Sequence, residues 1–447
     1  MASTYLTRTL GSSSNSGTIS MWVKRGKLGA TQYIYANLVS GTNYGIIFFD
    51  SNDRIEFMTV TSGSHTQKLL TTRKFIDTNA WYHFVFATDT DNSTATNRLR
   101  LYVNGVEETA FDTDATGSQG DTNYLFQASA TNDHVISGSA SQSDLFDGSM
   151  AHVHIVPGSQ LAPTIFGETD STSGVWKPKV SPSVTYTAQG SFLKFENSAA
   201  MGTDSSGNSN TWTVGGTLTQ NVDTPSNNFA TFNPLDVPEV GEKPTYSYGN
   251  LQGASTNAGH INGISSLAVE TGKFYAEFKC TGRSGATDDF IGVIASPAGD
   301  LGSTNINDAQ SNNKTYGIRG DGSKYEAGSG SSFAGSYAIN DIIGVALDVT
   351  NSRLYFSKNG QWQNGTSWNS ASPNSYITIP SGNTWHFLCG DTANSQSYTW
   401  QGNFGQGYFG ITAVASANAD ANGHGKMEYA VPSGYYTLNT KNIKEFG

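Results

Sequence analysis

Two stretches far apart in the chain repeat one pattern, and that pattern leaves little room for anything but antiparallel sheet. The first, Trp81 to Glu108, reads WYHFVFATDTDNSTATNRLRLYVNGVEE, and the second, Asp341 to Trp362, reads DIIGVALDVTNSRLYFSKNGQW. Each holds an alternating apolar strand, a polar loop, a second alternating strand and an Asn-Gly pair. Tyr82, Phe84 and Phe86 oppose His83, Val85 and Ala87, because successive side chains of a strand point to opposite faces. Leu99, Leu101 and Val103 share a face against Arg98, Arg100 and Tyr102. In the second stretch Ile343, Val345, Leu347 and Val349 share a face, and Leu354 and Phe356 lie on the return strand. Asn104-Gly105 and Asn359-Gly360 supply the positive φ angles of a type I′ hairpin turn. These are read as the central hairpins of two β-sandwich domains; two unrelated hairpins in one larger sheet protein is the alternative.

With 447 residues the chain is expected to form two or three domains. Charged residues make up 14 % and aromatics 12 %, a balance that argues against disorder. The 50 glycines and the frequent Ser, Thr and Asn suit an all-β chain with many turns. The formal charge is 25 − 36 = −11 with no basic cluster, so no nucleic-acid footprint is present. No apolar run reaches the length of a membrane-spanning helix. The first residues, MASTYLTRTLGSSS, have neither a basic nor an apolar signal region, so no secretory signal is expected. Cys280 and Cys389 are too few for a disulfide framework, and their apolar strand contexts predict buried free thiols.

Further strands are expected at Thr18 to Val23, Tyr44 to Phe49, Arg54 to Val60 and Ser149 to Val156. In order, TISMWVKR, WYHFVFA, RLRLYVNGV and DGSMAHVHIVPGSQL resemble the laminin-G-like, concanavalin-A-like lectin domains, over residues 1–160. Residues 161–250 read as an ordered, extended connector with a short hairpin. Prolines from Pro163 to Pro244 forbid long strands there, while Trp176, Phe192, Phe195, Trp212, Phe229 and Phe232 are too many rings for a loose linker. The succession FGETDSTSGVWKP, SFLKF, GTDSSGNSNTW and DTPSNNFATFNP resembles a linker of structural proteins from marine tailed bacteriophages. Over residues 251–447, GKFYAEF, FIGVIA, YGI and the second hairpin are similar to SPRY domains. The end departs from that pattern: QGNFGQGYFGIT and YAVPSGYYTLNTKNIKEFG resemble the tails of the same phage proteins. ANADANGHG, near residue 420, is expected to be a flexible surface loop.

The candidate chemistry is sparse. Retaining glycosidases place two carboxyls about 5 Å apart, yet the chain has no E-x-D-x-x-E run, and Glu168-x-Asp170 lacks a third acid. His152 and His154 have metal-ligand spacing, but they also read as the outer face of an edge strand, and zinc needs three or four ligands. P-loop, Rossmann and nucleophile-elbow motifs are absent. Asp89, Asp91, Asp112 and Asp114 offer hard oxygens in loops, so calcium is the one cofactor they suit, beside an ordinary role as turn residues. Asp204-Ser-Ser-Gly-Asn-Ser-Asn is explained by a turn. Gln361, Trp362, Trp368, Asn369 and Tyr376 form a loop group of the kind that holds sugars, since rings cover sugar faces and loops on a rigid frame carry function.

The resemblance implies a non-enzymatic virion structural protein, a tail-fibre or receptor-binding component recognising host-surface glycan. Its expected setting is the virion, among other tail or capsid proteins and as a homo-oligomer, a trimer by the habit of phage fibres. The alternatives are an architectural capsid-decoration or tail-adaptor protein and a polysaccharide depolymerase.

Overall fold

The computed structural model describes residues 4–129, 133–236, 244–255, 261–285, 287–296, 314–326, 329–392 and 397–447. The chain divides into two units, Met1–Gln220 and Asn221–Gly447. The stretch 161–250 is therefore shared between them, and its first sixty residues belong to the first sandwich.

The strands of the first unit are β1 (Tyr5–Arg8), β2 (Ser16–Arg25), β3 (Gln32–Ser40), β4 (Asn43–Phe49), β5 (Arg54–Thr61), β6 (Ser64–Lys74), β7 (Trp81–Asp89) and β8 (Leu99–Val103). They continue with β9 (Val106–Glu107), β10 (Phe111–Ala115), β11 (His134–Ile136), β12 (Gly148–Pro157), β13 (Gly167–Thr169), β14 (Trp176–Pro178), β15 (Ser191–Leu193) and β16 (Thr213–Gly215). One sheet runs β10-β6-β5-β4-β3-β11-β1-β16 and the other β15-β12-β2-β7-β8-β9. The alternation read from the sequence fills the space between them: Ile19, Met21 and Val23, then Tyr82, Phe84 and Phe86, then Leu99, Leu101 and Val103 meet Ile47, Phe49, Ile55 and Phe57. Phe57 meets Phe86 edge-on at 5.4 Å, and Phe49 meets Phe84 at 5.9 Å. Burying each such ring is worth about 1.5–3 kcal/mol.

The second unit has β17 (Thr245–Ser247), β18 (Gln252–Ser255), β19 (Ile261–Ile264), β20 (Lys273–Arg283), β21 (Asp289–Ala295), β22 (Thr315–Arg319), β23 (Ser323–Glu326), β24 (Ser329–Ser332) and β25 (Ile342–Asp348). Then come β26 (Arg353–Lys358), β27 (Gln361–Asn364), β28 (Ser367–Ser370), β29 (Tyr376–Thr378), β30 (Trp385–Asp391), β31 (Tyr398–Asn403), β32 (Tyr408–Phe409), β33 (Thr412–Ala413), β34 (Tyr436–Thr437) and α1 (Thr440–Phe446). The larger sheet runs β17-β18-β31-β20-β25-β26-β27-β28, with β29 on β26 and β34 parallel to β20. The smaller runs β19-β30-β21-β22-β23-β24. Phe274, Phe278, Ile343, Val345, Leu347, Leu354 and Phe356 face Ile291, Val293, Trp385 and Phe387 in the core. Cys280 and Cys389 are buried free thiols there, and burial pushes the Cys280 thiol up to about 12.

Both Asn-Gly turns have the geometry that their residues predict. Asn104 and Gly105 have φ of 50° and 83°, and Asn359 and Gly360 have 49° and 80°, the type I′ combination. Each Asn side-chain oxygen accepts a backbone N–H from the strand before its hairpin, His83 of β7 at 2.8 Å and Ile342 of β25 at 2.9 Å.

Each unit also carries a second layer on the back of one sheet, made by segments without long strands. In the first unit, residues 161–195 lay Phe166, Tyr186 and Trp176 over the outward side chains of β7 and β12. The sequence places His152 and His154 on the outer face of an edge strand. β12 instead lies between β15 and β2, and His154 is 1 % exposed, stacked on Phe192 at 3.9 Å. His154 shares a 2.6 Å hydrogen bond with the Tyr186 hydroxyl. A bulge after Ala151, where His152 has φ of 47°, rotates the strand locally.

In the second unit, residues after Asn403 return over the outer face of the larger sheet and bury Met427 and Tyr435 against Tyr275, Ala346, Tyr355 and Trp362. The tract around residue 420, expected to be flexible, is pinned. The Asp420 carboxylate accepts hydrogen bonds from Asn422 N, His424 N, Thr437 N and Oγ1, and Asn442 Nδ2. Asp204, as its turn reading implies, accepts from Phe192 N, Ser206 N and Oγ, and Asn210 N. That knot holds β15 at the sheet edge.

Candidate functional site

The loop group of the second unit begins at the Asn359-Gly360 turn and runs through β27 and β28 to β29. Its backbone is tied down from within. Gln363, fully buried, donates from Nε2 to Phe333 O at 2.7 Å and Gly365 O at 3.1 Å. Gly365 N donates to Ser375 Oγ at 2.9 Å, and Asn374 Nδ2 donates to Asn364 Oδ1 at 3.0 Å.

The five side chains named from sequence divide into two kinds. Trp362 is 4 % exposed and packs among Tyr275, Ala346, Tyr355, Met427 and Tyr435. It anchors the loop and is closed to a ligand, because the returning C-terminal segment covers its face. Trp368 is half-buried, and its indole N–H donates to Gly335 O at 3.0 Å. Gln361, Asn369 and Tyr376 remain exposed, Tyr376 at 41 %. The result is a stiff loop held by two tryptophans, with one tyrosine and two amides turned to solvent.

The pairing register adds a residue that the sequence reading missed. Lys273 pairs with Asp348, Asp348 with Arg353 and Arg353 with Thr378, so the four form one row across the outer face. Tyr275, Ala346, Tyr355 and Tyr376 form the next row. Arg353 thus stands beside Tyr376, its guanidinium carbon 4.5 Å from the ring centroid, and Nη1 donates to the Tyr355 hydroxyl at 3.4 Å. The signal was present in Arg353-Leu354-Tyr355-Phe356: with Leu354 and Phe356 inward, Arg353 and Tyr355 must face out.

The four aspartates considered for calcium are not brought together. Asp89 ends β7 in the six-stranded sheet, while Asp112 and Asp114 lie on β10 at the edge of the eight-stranded sheet. Asp89 accepts from Asn92 Nδ2 at 3.4 Å, Asp91 from Asn15 Nδ2 at 3.1 Å, and Asp112 pairs with Arg54 at 2.6 Å. Asp114 is exposed. Among the described residues, no group of three or more His, Cys, Asp or Glu side chains is arranged to hold a metal ion. Glu168 and Asp170 both face Lys177, at 3.8 and 2.7 Å. The hydrogen bond from Lys177, with others from Ser173 and Thr172, holds the Asp170 carboxyl well below the usual carboxylate range.

Each covering layer closes over a buried titratable group. Burial pushes His83 down to about 3, and nearby His152 adds to the effect. Trp176 Nε1–H donates to His83 Nδ1 at 3.0 Å, and an indole N–H can only donate, so Nδ1 carries no proton. The proton of neutral His83 is therefore on Nε2, 2.8 Å from Ser20 Oγ. Glu277, fully buried, accepts from Glu428 N and Tyr429 N at 2.8 Å, and from the Tyr275 hydroxyl and Asn403 Nδ2. Burial outweighs these donors and raises its carboxyl to about 7.

Comparison with known proteins found two family models that match. The concanavalin A-like lectin/glucanases superfamily matches residues 2–165, and the SPRY domain matches residues 273–390. No curated protein matches the chain. Among solved structures, it is similar to the SPRY domain of human HERC1, at 17 % identity over 34 % of this chain and 81 % of that one, with a TM-score of 0.25. The TRIM65 PSpry domain is 13 % identical over 38 % and 88 %, with a TM-score of 0.28. Domain 4 of AbnA, a GH43 extracellular arabinanase from Geobacillus stearothermophilus solved with arabinotriose, is 19 % identical over 34 % and 66 %, with a TM-score of 0.26. The chain thus joins an N-terminal domain of the concanavalin-A-like lectin type to a C-terminal SPRY domain in one all-β protein.

Proposed function

We propose that this chain is a non-enzymatic virion structural protein of a tailed phage, placed in a tail fibre or receptor-binding assembly, and that it recognises host-surface glycan. The observation that carries the recognition role is the loop from Asn359 to Thr378. It is hydrogen-bonded from within, anchored by Trp362 and Trp368, and presents Tyr376, Gln361 and Asn369 to solvent. A ring covers the apolar face of a sugar and amides meet its hydroxyls, while the rigid frame lowers the ordering cost of binding. The phage setting is supported by the connector and tail motifs, and the assembly would be a homo-oligomer held among other virion proteins.

The test is binding of the purified chain to host cells and to a glycan panel, beside the location of the chain on the particle by cryo-EM. Binding that weakens in Tyr376→Ala supports the role. No binding to any glycan or cell, with the chain located on the capsid, would replace it with the architectural role. Release of reducing sugar from host polysaccharide would replace it with a depolymerase.

A further inference from the structure

We propose that the corner formed by Arg353, Tyr376 and Tyr355 is a subsite for the carboxylate of an acidic sugar, so that the glycan recognised is a uronic-acid-type polysaccharide. This rests on the glycan-recognition reading above and names the chemistry of its ligand.

Register decides the site. On the outer face of the larger sheet, the row Lys273, Asp348, Arg353, Thr378 lies directly beside the row Tyr275, Ala346, Tyr355, Tyr376. The returning C-terminal segment covers the inner part of both rows, where Tyr275 and Ala346 are fully buried and Tyr355 is 7 % exposed. Arg353, Tyr376 and Thr378 lie beyond that cover and are exposed.

Charge then selects the ligand. Asp348, the one acid in the row, is already engaged: Lys273 Nζ lies 3.0 Å away, and Asn351 donates from N and Nδ2 at 2.9 and 2.8 Å. Arg353 makes no direct ion pair with a carboxylate among the described residues, although the charge of Asp348, opposite it in the sheet, reaches it. Among the described residues, its donated hydrogen bond leaves from Nη1 toward Tyr355, and Nε and Nη2 meet no acceptor. Stacking on Tyr376 holds the guanidinium plane, and a planar fork with free donors matches a carboxylate with two parallel hydrogen bonds. Lys273 and Arg353 against Asp348 leave this corner with a local charge of +1 on a chain of net charge −11. Acidic polymers are repelled by most of such a surface, and a cationic corner is where one can land. The ring of Tyr376 would contact the neighbouring sugar unit.

The experiment compares three probes on the full chain by calorimetry: oligogalacturonate, the same oligosaccharide with its carboxyls reduced to alcohols, and a panel of neutral oligosaccharides. The expected result is binding of oligogalacturonate at least tenfold tighter than its reduced form, weakened by added salt. Arg353→Ala should lose that preference, and Arg353→Lys should retain only part of it, since a point charge replaces the fork. Arg353 is exposed, and an unchanged circular dichroism spectrum and melting temperature would show that its variants fold. Equal binding of the acidic and reduced forms, or binding untouched by Arg353→Ala, overturns the subsite while leaving glycan recognition standing. Binding to none of the three probes or to host cells overturns both.

Discussion

The two Asn-Gly hairpins are near copies in backbone, yet the layers laid over them use opposite chemistry. In each, a positive-φ glycine sits under an aromatic ring from the covering segment. A Cβ on Gly105 would come within 2.7 Å of the Trp176 ring, and one on Gly360 within 2.5 Å of the Tyr429 ring. What fills the space beneath differs. The first unit buries neutral histidines, His83 and His154, against Trp176, Phe166, Tyr186 and Phe192. The second buries a carboxyl, Glu277, on the backbone amides of the returning chain. Hairpin geometry is a local matter, whereas the polar chemistry on the back of a sheet depends on which segment happens to cover it. The two layers must therefore answer pH in opposite directions.

The largest expected effect is on the first unit in acid. His83 and His134 are pushed by burial to about 3 and about 4, and His152 and His154 are also lowered. A histidine whose folded pKa is depressed takes up its proton only on opening. Stability is then lost as pH falls below the unfolded value of 6.5, by about 1.4 kcal/mol per pH unit for each such group. In the second unit, His386 is lowered as well. Hydrogen exchange followed by mass spectrometry from pH 7 to pH 5 should show peptides of residues 4–220 losing protection first. Simultaneous loss in both units would remove the distinction.

The cores should behave alike. Phe84→Ala and Phe278→Ala each remove a fully buried ring and should each cost about 3–5 kcal/mol in urea unfolding. A large inequality between them would mean that the covering layers, rather than the sandwich cores, dominate one unit.

Glu277 should produce the opposite pH slope. Its folded pKa of about 7 lies above the unfolded value of 4.5, so its contribution is complete below 4.5 and is lost as pH rises through 7. The loss amounts to about 3 kcal/mol. Glu277→Gln should flatten the stability difference between pH 5 and pH 8 in the second unit. An unchanged slope would place its origin elsewhere.

The smallest effects are at the turns. Gly105→Ala and Gly360→Ala should cost about 1–2 kcal/mol for the left-handed backbone and more for displacing a ring. Gly63 has φ of 80° with nothing near its absent side chain, so Gly63→Ala pays for backbone alone. Equal melting-temperature losses in all three would show that the rings give way freely.

Much of the frame was legible because strand alternation is a local code. Met21, Phe84 and Leu101, or Val345 and Phe356, could be assigned to a core face from period two alone. Of the loop residues named from sequence, Tyr376, Gln361 and Asn369 are exposed. Trp362 misled, because a ring looks the same in sequence whether it meets a ligand or a returning chain. Arg353 was passed over because its neighbour Tyr376 is 23 positions away and reaches it only through β26–β29 pairing.

The two sandwiches and their type I′ turns follow from local pattern, since side-chain period and positive-φ residues act over a few positions. That residues 161–220 fold onto the first sandwich, that His154 and Glu277 are buried, and that Arg353 stands beside Tyr376 is visible in no local pattern. Those outcomes depend on which distant segment covers which sheet face, and that is settled by long-range packing and hydrogen bonding rather than by any pattern within a strand.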